Sequence, residues 1–266
     1  MKQYLDVIKL KFIYSLQYRS QVYAGILTQV FFGLVYIMVY LAFYESGDNY
    51  PMNLEDLIAY LWLNQAFFSL VYMWTKDQEF LVMIKNGNIA YELCRPSNFY
   101  LRRFVSIYAK RITAVFLRFI PVLIVAFLMP KPYNLILPMN LKCLVLFIIS
   151  LFISSFLVTA ISLIFHLITI FTLNEKGVLA IFSSVAEILA GGVVPLVFFP
   201  DLLYKIAYVL PFRYVSDLPF RIYTGNIYGS LAIKGIVGSI IWTIITIIIG
   251  ILITKKALKK ATIQGG

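Results

Sequence analysis

Six stretches of the chain are apolar for long enough to cross a bilayer: residues 22–44, 57–74, 112–129, 141–165, 177–197 and 233–253. A crossing helix needs about 20 mostly apolar residues, because each adds 1.5 Å across a hydrocarbon core of about 30 Å. The pattern predicts an all-α integral membrane fold of six transmembrane helices, forming one domain over residues 1–266. Only Arg118 interrupts the third stretch with a charge, and Glu187 sits well inside the fifth.

Two further segments follow a different pattern. On a helix over residues 1–21, Leu5, Ile8, Phe12 and Leu16 share one face and Lys2, Asp6, Lys9 and Arg19 the other, with Lys11 as the exception. An apolar stripe opposite a basic face predicts an amphipathic helix in the inner headgroup layer; a plain extension of the first span is the alternative. This mixed segment and the length of the apolar run behind it do not fit a cleaved signal peptide, so the first span is expected to be retained. Between spans five and six, Gly191 and Gly192 precede an apolar stretch broken by Pro195, Pro200, Pro211 and Pro219. Irregular backbone at membrane depth is tolerated only where protein buries it or a cavity borders it. A short re-entrant element, a turn at residues 199–201 and an interfacial helix through Leu210 are predicted within an outer connection over residues 198–232. A short outer loop after an overlong fifth span is the alternative.

Composition agrees with a lipid solvent. Charged residues make up 13% of the chain, hydrophobic ones 61%, and mean hydropathy is +0.87; a soluble domain carries about a quarter charged. The net charge of +11 reads as topology and not as a nucleic-acid footprint. Counting Lys and Arg with the N-terminus inside places seventeen on the cytoplasmic side and six outside. By the positive-inside rule both ends, including a tail over residues 254–266, are therefore cytoplasmic. Cys94 and Cys143 form neither a disulfide framework nor a metal site. His166, the one histidine, reads as structural, and no metal or cofactor is expected on this chain. No phosphate-binding GxxxxGK[ST] loop and no nucleophile–base pair occurs, so no catalytic residue is assigned and the chain is not read as an enzyme. Glu175 is expected to see water. Glu187 is either functional or solvated in an outer vestibule, since an ionisable group inside a span is costly.

The loop over residues 75–111 is the most informative polar stretch. Phe80, Met83 and Ile84 recur at helical spacing, Asn86-Gly87-Asn88 breaks the helix, and residues 89–94 could add a turn or two before Arg95-Pro96. Asp77, Glu79 and Glu92 are expected to be solvated there. A short apolar-faced helix in the cytosol is what a partner's groove can grip, and a solvated connector is the bland alternative.

Two patterns carry a family resemblance. The stretch NGNIAYELCRP (residues 86–96) is similar to the cytoplasmic loop of type-two ABC exporter permeases, G-x-[IL]-x-x-x-[LI]-x-R-P. Gly192, Pro195, Pro200, Leu210-Pro211-Phe212, Pro219 and Gly225 resemble the proline-punctuated outer connection of the same permeases, in particular the paired-permease antibiotic or multidrug group. The resemblance implies a subunit in the cell membrane that pairs with a second permease, as a homodimer or heterodimer. A separate ATP-binding subunit would hold ATP and Mg. It implies coupling to that ATPase through Asp77, Glu79, Phe80, Ile84, Gly87, Ile89, Glu92, Leu93, Arg95 and Pro96. The translocation path or outer gate would involve Glu187, Gly191, Gly192, Pro195, Phe199, Pro200, Pro211 and Phe212. Against it stand an ion-driven secondary transporter, which calls for inverted repeats and more buried carboxylates, and a non-transporting scaffold or immunity protein.

Overall fold

The computed structural model describes residues 2–47, 50–74, 77–86, 98–172 and 175–264. Among them every regular element is helical: α1 (Lys2–Gln17), α2 (Arg19–Glu45), α3 (Leu54–Ala66), α4 (Phe68–Val71), α5 (Gln78–Lys85), α6 (Phe99–Leu128), α7 (Leu141–Ile168), α8 (Glu175–Leu189), α9 (Asp201–Val209), α10 (Asp217–Tyr223) and α11 (Gly229–Gln264). Single 3-10 turns follow α7 and flank α9. Among the described residues four helices are long and apolar enough to cross a membrane: α2, α6, α7 with its 3-10 turn, and α11.

The apolar centres of these four lie where predicted, but α6 starts far before its predicted beginning and α11 runs past its predicted end. α6 begins at Phe99, well inside the loop expected to run to residue 111. Asn98 caps it by accepting the Leu101 N–H at 3.1 Å, and the helix carries Arg102, Arg103, Lys110 and Arg111 before its apolar part begins. Charges end a hydropathy run without ending a helix. The expected tail after residue 253 is likewise helical, as α11 continues to Gln264.

The other two predicted spans are broken. Residues 57–74 contain α3, a break at Phe67, and the single turn of α4. The fifth stretch forms a helix only to Leu189, because Gly191 adopts φ +79°, a conformation that favours glycine and stops an L-residue helix.

The core forms where α3 is enclosed. Leu57 through Ala66 are all buried, and Gly33 of α2 admits Trp62 so closely that a Cβ there would meet its ring at 2.9 Å. α11 packs along α7, while α1 lies against the N-terminal part of α6. Arg118 is accommodated in the same way: it crosses to α2 over Gly25 and donates to the Gln21 carbonyl at 3.2 Å.

Candidate functional site

The unwound end of α4 creates a local problem. Tyr72 leaves helical geometry at ψ 129°; the N–H groups of Leu70, Val71 and Tyr72 still reach Phe67 and Phe68, but the Leu70 and Tyr72 carbonyls and the Met73 N–H fall outside the helical ladder. Buried backbone groups left without a partner are costly. Arg111 of α6, 1% exposed, donates from Nη1 to the carbonyls of Leu70 (2.9 Å) and Tyr72 (2.7 Å). Its Nη2 donates to Ser162 Oγ on α7 at 2.5 Å. Glu187 of α8 does the converse, accepting the Met73 N–H on Oε2 at 2.8 Å. Arg111 is also the cation whose charge acts on Glu187. One cation thus satisfies acceptors, one anion a donor, and the pair clamps α4 between α6, α7 and α8.

The break after α8 is held from the same side. Tyr60 Oη donates to Gly191 O and Asn64 Nδ2 to Gly192 O, each at 2.8 Å. The helix therefore stops level with the middle of α3. Gly192 donates its N–H to the Glu187 carbonyl at 3.1 Å, and a Cβ on Gly192 would collide with the Glu187 carboxylate. Ala190 O accepts both the Asp217 N–H (3.1 Å) and Ser216 Oγ (2.6 Å). From this junction α10 rises until Asn226 Nδ2 donates to Asp56 Oδ2 at 3.1 Å, beside the start of α3.

Beside the first turn of α5, Asp77 forms the third fixed point. It is 1% exposed. Its Oδ1 receives Lys110 Nζ at 2.7 Å, and Oδ2 lies 3.9 Å from Arg103. Burial alone would push its carboxyl up, but Lys110 and then Arg103 outweigh burial and hold it below the usual carboxylate range. The Asp77 N–H donates to His166 Nε2 at 2.9 Å. That acceptor role places the ring proton on Nδ1, which donates to Ser162 O at 2.6 Å. Ser162 therefore joins the two halves, since its carbonyl takes His166 and its hydroxyl takes Arg111. A continuous buried polar chain runs Lys110–Asp77–His166–Ser162–Arg111, on to the Met73 segment, and ends at Glu187.

The expected site residues divide accordingly. Asp77 is buried and paired, not solvated. Glu79 is 58% exposed but bonds Lys11 at 2.5 Å, which explains why a lysine interrupts the apolar stripe of α1. Phe80, expected at a docking surface, is 0% exposed. It lies among Phe99, Tyr100, Phe104 and Ile107 with Arg103 5.3 Å above its ring, so it is a core residue of this chain. Ile84 packs at the edge of that cluster, and Asn86 ends α5 where the break was expected. Gly87, Ile89, Glu92, Leu93, Cys94, Arg95 and Pro96 lie outside the described residues. Glu187 is buried at 8% exposure and does not face a vestibule. Gly191 and Gly192 meet it. Pro195 and Phe199 bracket a 3-10 turn, Pro200 caps α9, and Pro211 starts the next 3-10 turn beside a half-buried Phe212. Among the described residues these border the junction and form no hydrogen bond with the polar chain. Sequence reasoning missed Arg111, Ser162, Tyr60 and Asn64 as partners. It counted Arg213 and Arg221 only as charges, and the structure adds their contacts: Arg213 stacks on Tyr208 and Arg221 pairs with Asp217 at 3.6 Å.

The family model described as ABC-2 family transporter protein matches residues 30–265. The chain belongs to the ABC-2 transporter family. This ABC-2 permease is therefore a membrane transport component of the type-two ABC systems, and the match runs through all the elements that build the polar chain. A comparison with curated proteins finds no match.

Proposed function

We propose that this permease is the membrane-spanning subunit of an ATP-driven exporter of the paired antibiotic or multidrug type, with ATP and Mg held by a separate subunit. Two permease chains pair around the path. Each contributes six crossings: α2, α3 with α4, α6, α7, α8 completed by α10, and α11. Both termini and residues 77–96 are cytoplasmic, α1 lies in the inner headgroup layer, and residues 198–232 form a re-entrant outer connection.

One observation carries the mechanism. Asp77, which caps α5, is joined by buried hydrogen bonds to the junction where the fifth crossing breaks. A push on α5 by the closing ATPase pair moves α6, α7 and α4 with it, and through Glu187 reaches Gly191 and Gly192 at the outer gate. Packed interiors respond to such a push as units and not by smooth deformation. Because Phe80 is occupied internally, the docking face comprises the exposed side of α5 and the stretch that includes Ile89 and Leu93.

Co-purification with the cognate ATPase tests this. A buried interface anchor is worth about 2 kcal/mol, roughly thirtyfold in affinity. Ile89→Ala with Leu93→Ala should weaken capture by about that factor and abolish transport while the permease still inserts. Normal capture and transport by this variant would show that the loop does not couple the two subunits.

A further inference from the structure

The helix of the second predicted span is interrupted where α3 ends at Ala66 and α4 restarts at Phe68. Beside this break, between α4, α6 and α7, lies a cleft of about 400 Å³. Five rings line it: Phe67 at the break, Tyr108, Phe116 and Phe119 on α6, and Phe152 on α7. Phe116, Ile148 and Phe152 are 58%, 56% and 58% exposed. The mouth therefore opens sideways from α6 and α7, toward the hydrocarbon that these two helices are long and apolar enough to cross. Apart from Tyr108 and Ser155 the lining is apolar, and those two side chains are hydrogen-bonded to each other. Ser155 Oγ donates its proton to the Phe152 carbonyl at 2.6 Å. Tyr108 is then the donor to Ser155, and its oxygen keeps a lone pair for a further hydroxyl.

The solvent around the cleft decides what can fill it. In hydrocarbon an apolar molecule gains nothing by leaving its surroundings, since lipid tails are as apolar as leucine, so affinity must come from packing and specific contacts. A saturated acyl chain offers the rings no stacking partner and loses rotational freedom when it is held. A rigid planar ring system has no such freedom to lose, and it gains from offset and edge-on contacts with the lining rings. The volume suits one molecule of small-drug size.

We infer that the cleft between α4, α6 and α7 binds an uncharged, planar multi-ring molecule bearing a hydroxyl group, which enters sideways from the bilayer. Phe116 and Phe119 stack with its rings, and Tyr108 accepts its hydroxyl hydrogen bond. Leu70 also lines the cleft, and its carbonyl receives Arg111 at 2.9 Å, so a bound molecule rests on the turn that the polar chain holds. The inference needs α6 and α7 to cross the bilayer and is independent of export: the cleft can fail to bind while the permease still transports with its ATPase.

The test places the purified full chain in phosphatidylcholine nanodiscs and reads tritiated 1-hydroxypyrene by scintillation proximity against empty nanodiscs. Saturable binding of one molecule per chain is expected. Phe116→Leu with Phe119→Leu keeps apolar bulk, removes two rings and should weaken binding about tenfold. Ile148→Trp fills the mouth from a mostly exposed position and should abolish binding, whereas Phe32→Leu removes an exposed ring of α2 and should leave it unchanged. Tyr108→Phe should raise the Kd of 1-hydroxypyrene but not that of tritiated pyrene, a split that damage to the fold cannot produce. Absence of saturable binding, or equal affinity in the double leucine variant, overturns the inference. Displacement of the probe by equimolar dodecanol overturns it in favour of an acyl chain. Exclusion of the probe by a disulfide between two copies at Ile148→Cys, with Cys94 and Cys143 replaced, overturns it in favour of an interface between permeases.

Discussion

At the scale of single residues, buried charges are explained by the backbone groups they serve. Glu187→Gln keeps an oxygen to accept the Met73 N–H but removes the charge facing Arg111, whereas Glu187→Leu leaves the amide without a partner. A buried unsatisfied donor costs about 1–3 kcal/mol. In detergent, thermal unfolding of Glu187→Leu should therefore fall clearly below that of Glu187→Gln. Equal midpoints would mean that the Met73 contact contributes nothing. Asp77 yields a pH prediction. Its carboxyl lies lower folded than unfolded, so its pairing stabilises the fold at every pH above the unfolded value of about 3.9 and is lost as pH falls through the depressed folded value. Amide-exchange protection of α5 should stay flat from about pH 8 to pH 7, above the titration of Asp77 and of the His166 ring, which must stay neutral to accept the Asp77 N–H. A drop within that range would contradict the assignment. These roles were barely legible in advance. Glu187 and Met73 are separated by 114 positions and Asp77 and His166 by 89, and no local pattern marks such partners.

At the scale of elements, apolar runs located the centres of the helices because burial in lipid demands length. Their ends followed other forces. The cap at Asn98 and the charges of Arg102 through Arg111 hid the first turns of α6, and hydropathy continued past Leu189 although Gly191 had already turned the chain. The glycine junction can be tested internally. A Cβ at Gly191 needs φ +79° and would stand 2.7 Å from Tyr60 Oη, whereas Gly229 needs φ +58° and has nothing within 4 Å. Gly229→Ala should cost only the backbone term, about 1–2 kcal/mol. Gly191→Ala should cost that plus the displacement of Tyr60, and unfolding midpoints that rank the other way would contradict the packing of the break. The corrected face of α5 gives a second contrast. Phe80→Ala opens a core cavity worth about 3–5 kcal/mol, while Val82, 52% exposed, should tolerate alanine in the isolated chain and lose affinity only for the ATPase. If Phe80→Ala leaves thermal stability intact, the residue is not core.

At the scale of the whole molecule, the proposed coupling loop and the glycine junction are two ends of one hydrogen-bonded assembly. Its orientation is open to direct labelling after Cys94 and Cys143 are replaced. A cysteine at Gly47 or Tyr228 should react in intact cells, and one at Asn88 only after permeabilisation; the reverse would invert the topology. The central claim is that movement at α5 reaches the outer gate through Glu187. Spin labels at Val82 and, separately, at Val193 report these ends as distances across the permease pair, with the ATPase bound in lipid. In the otherwise unchanged chain, trapping the ATPase closed should shift both distances. In Glu187→Leu, which removes the Met73 contact, the distance at Val82 should still shift while that at Val193 stays near its resting value. An unchanged shift at Val193 in the folded variant would contradict the account.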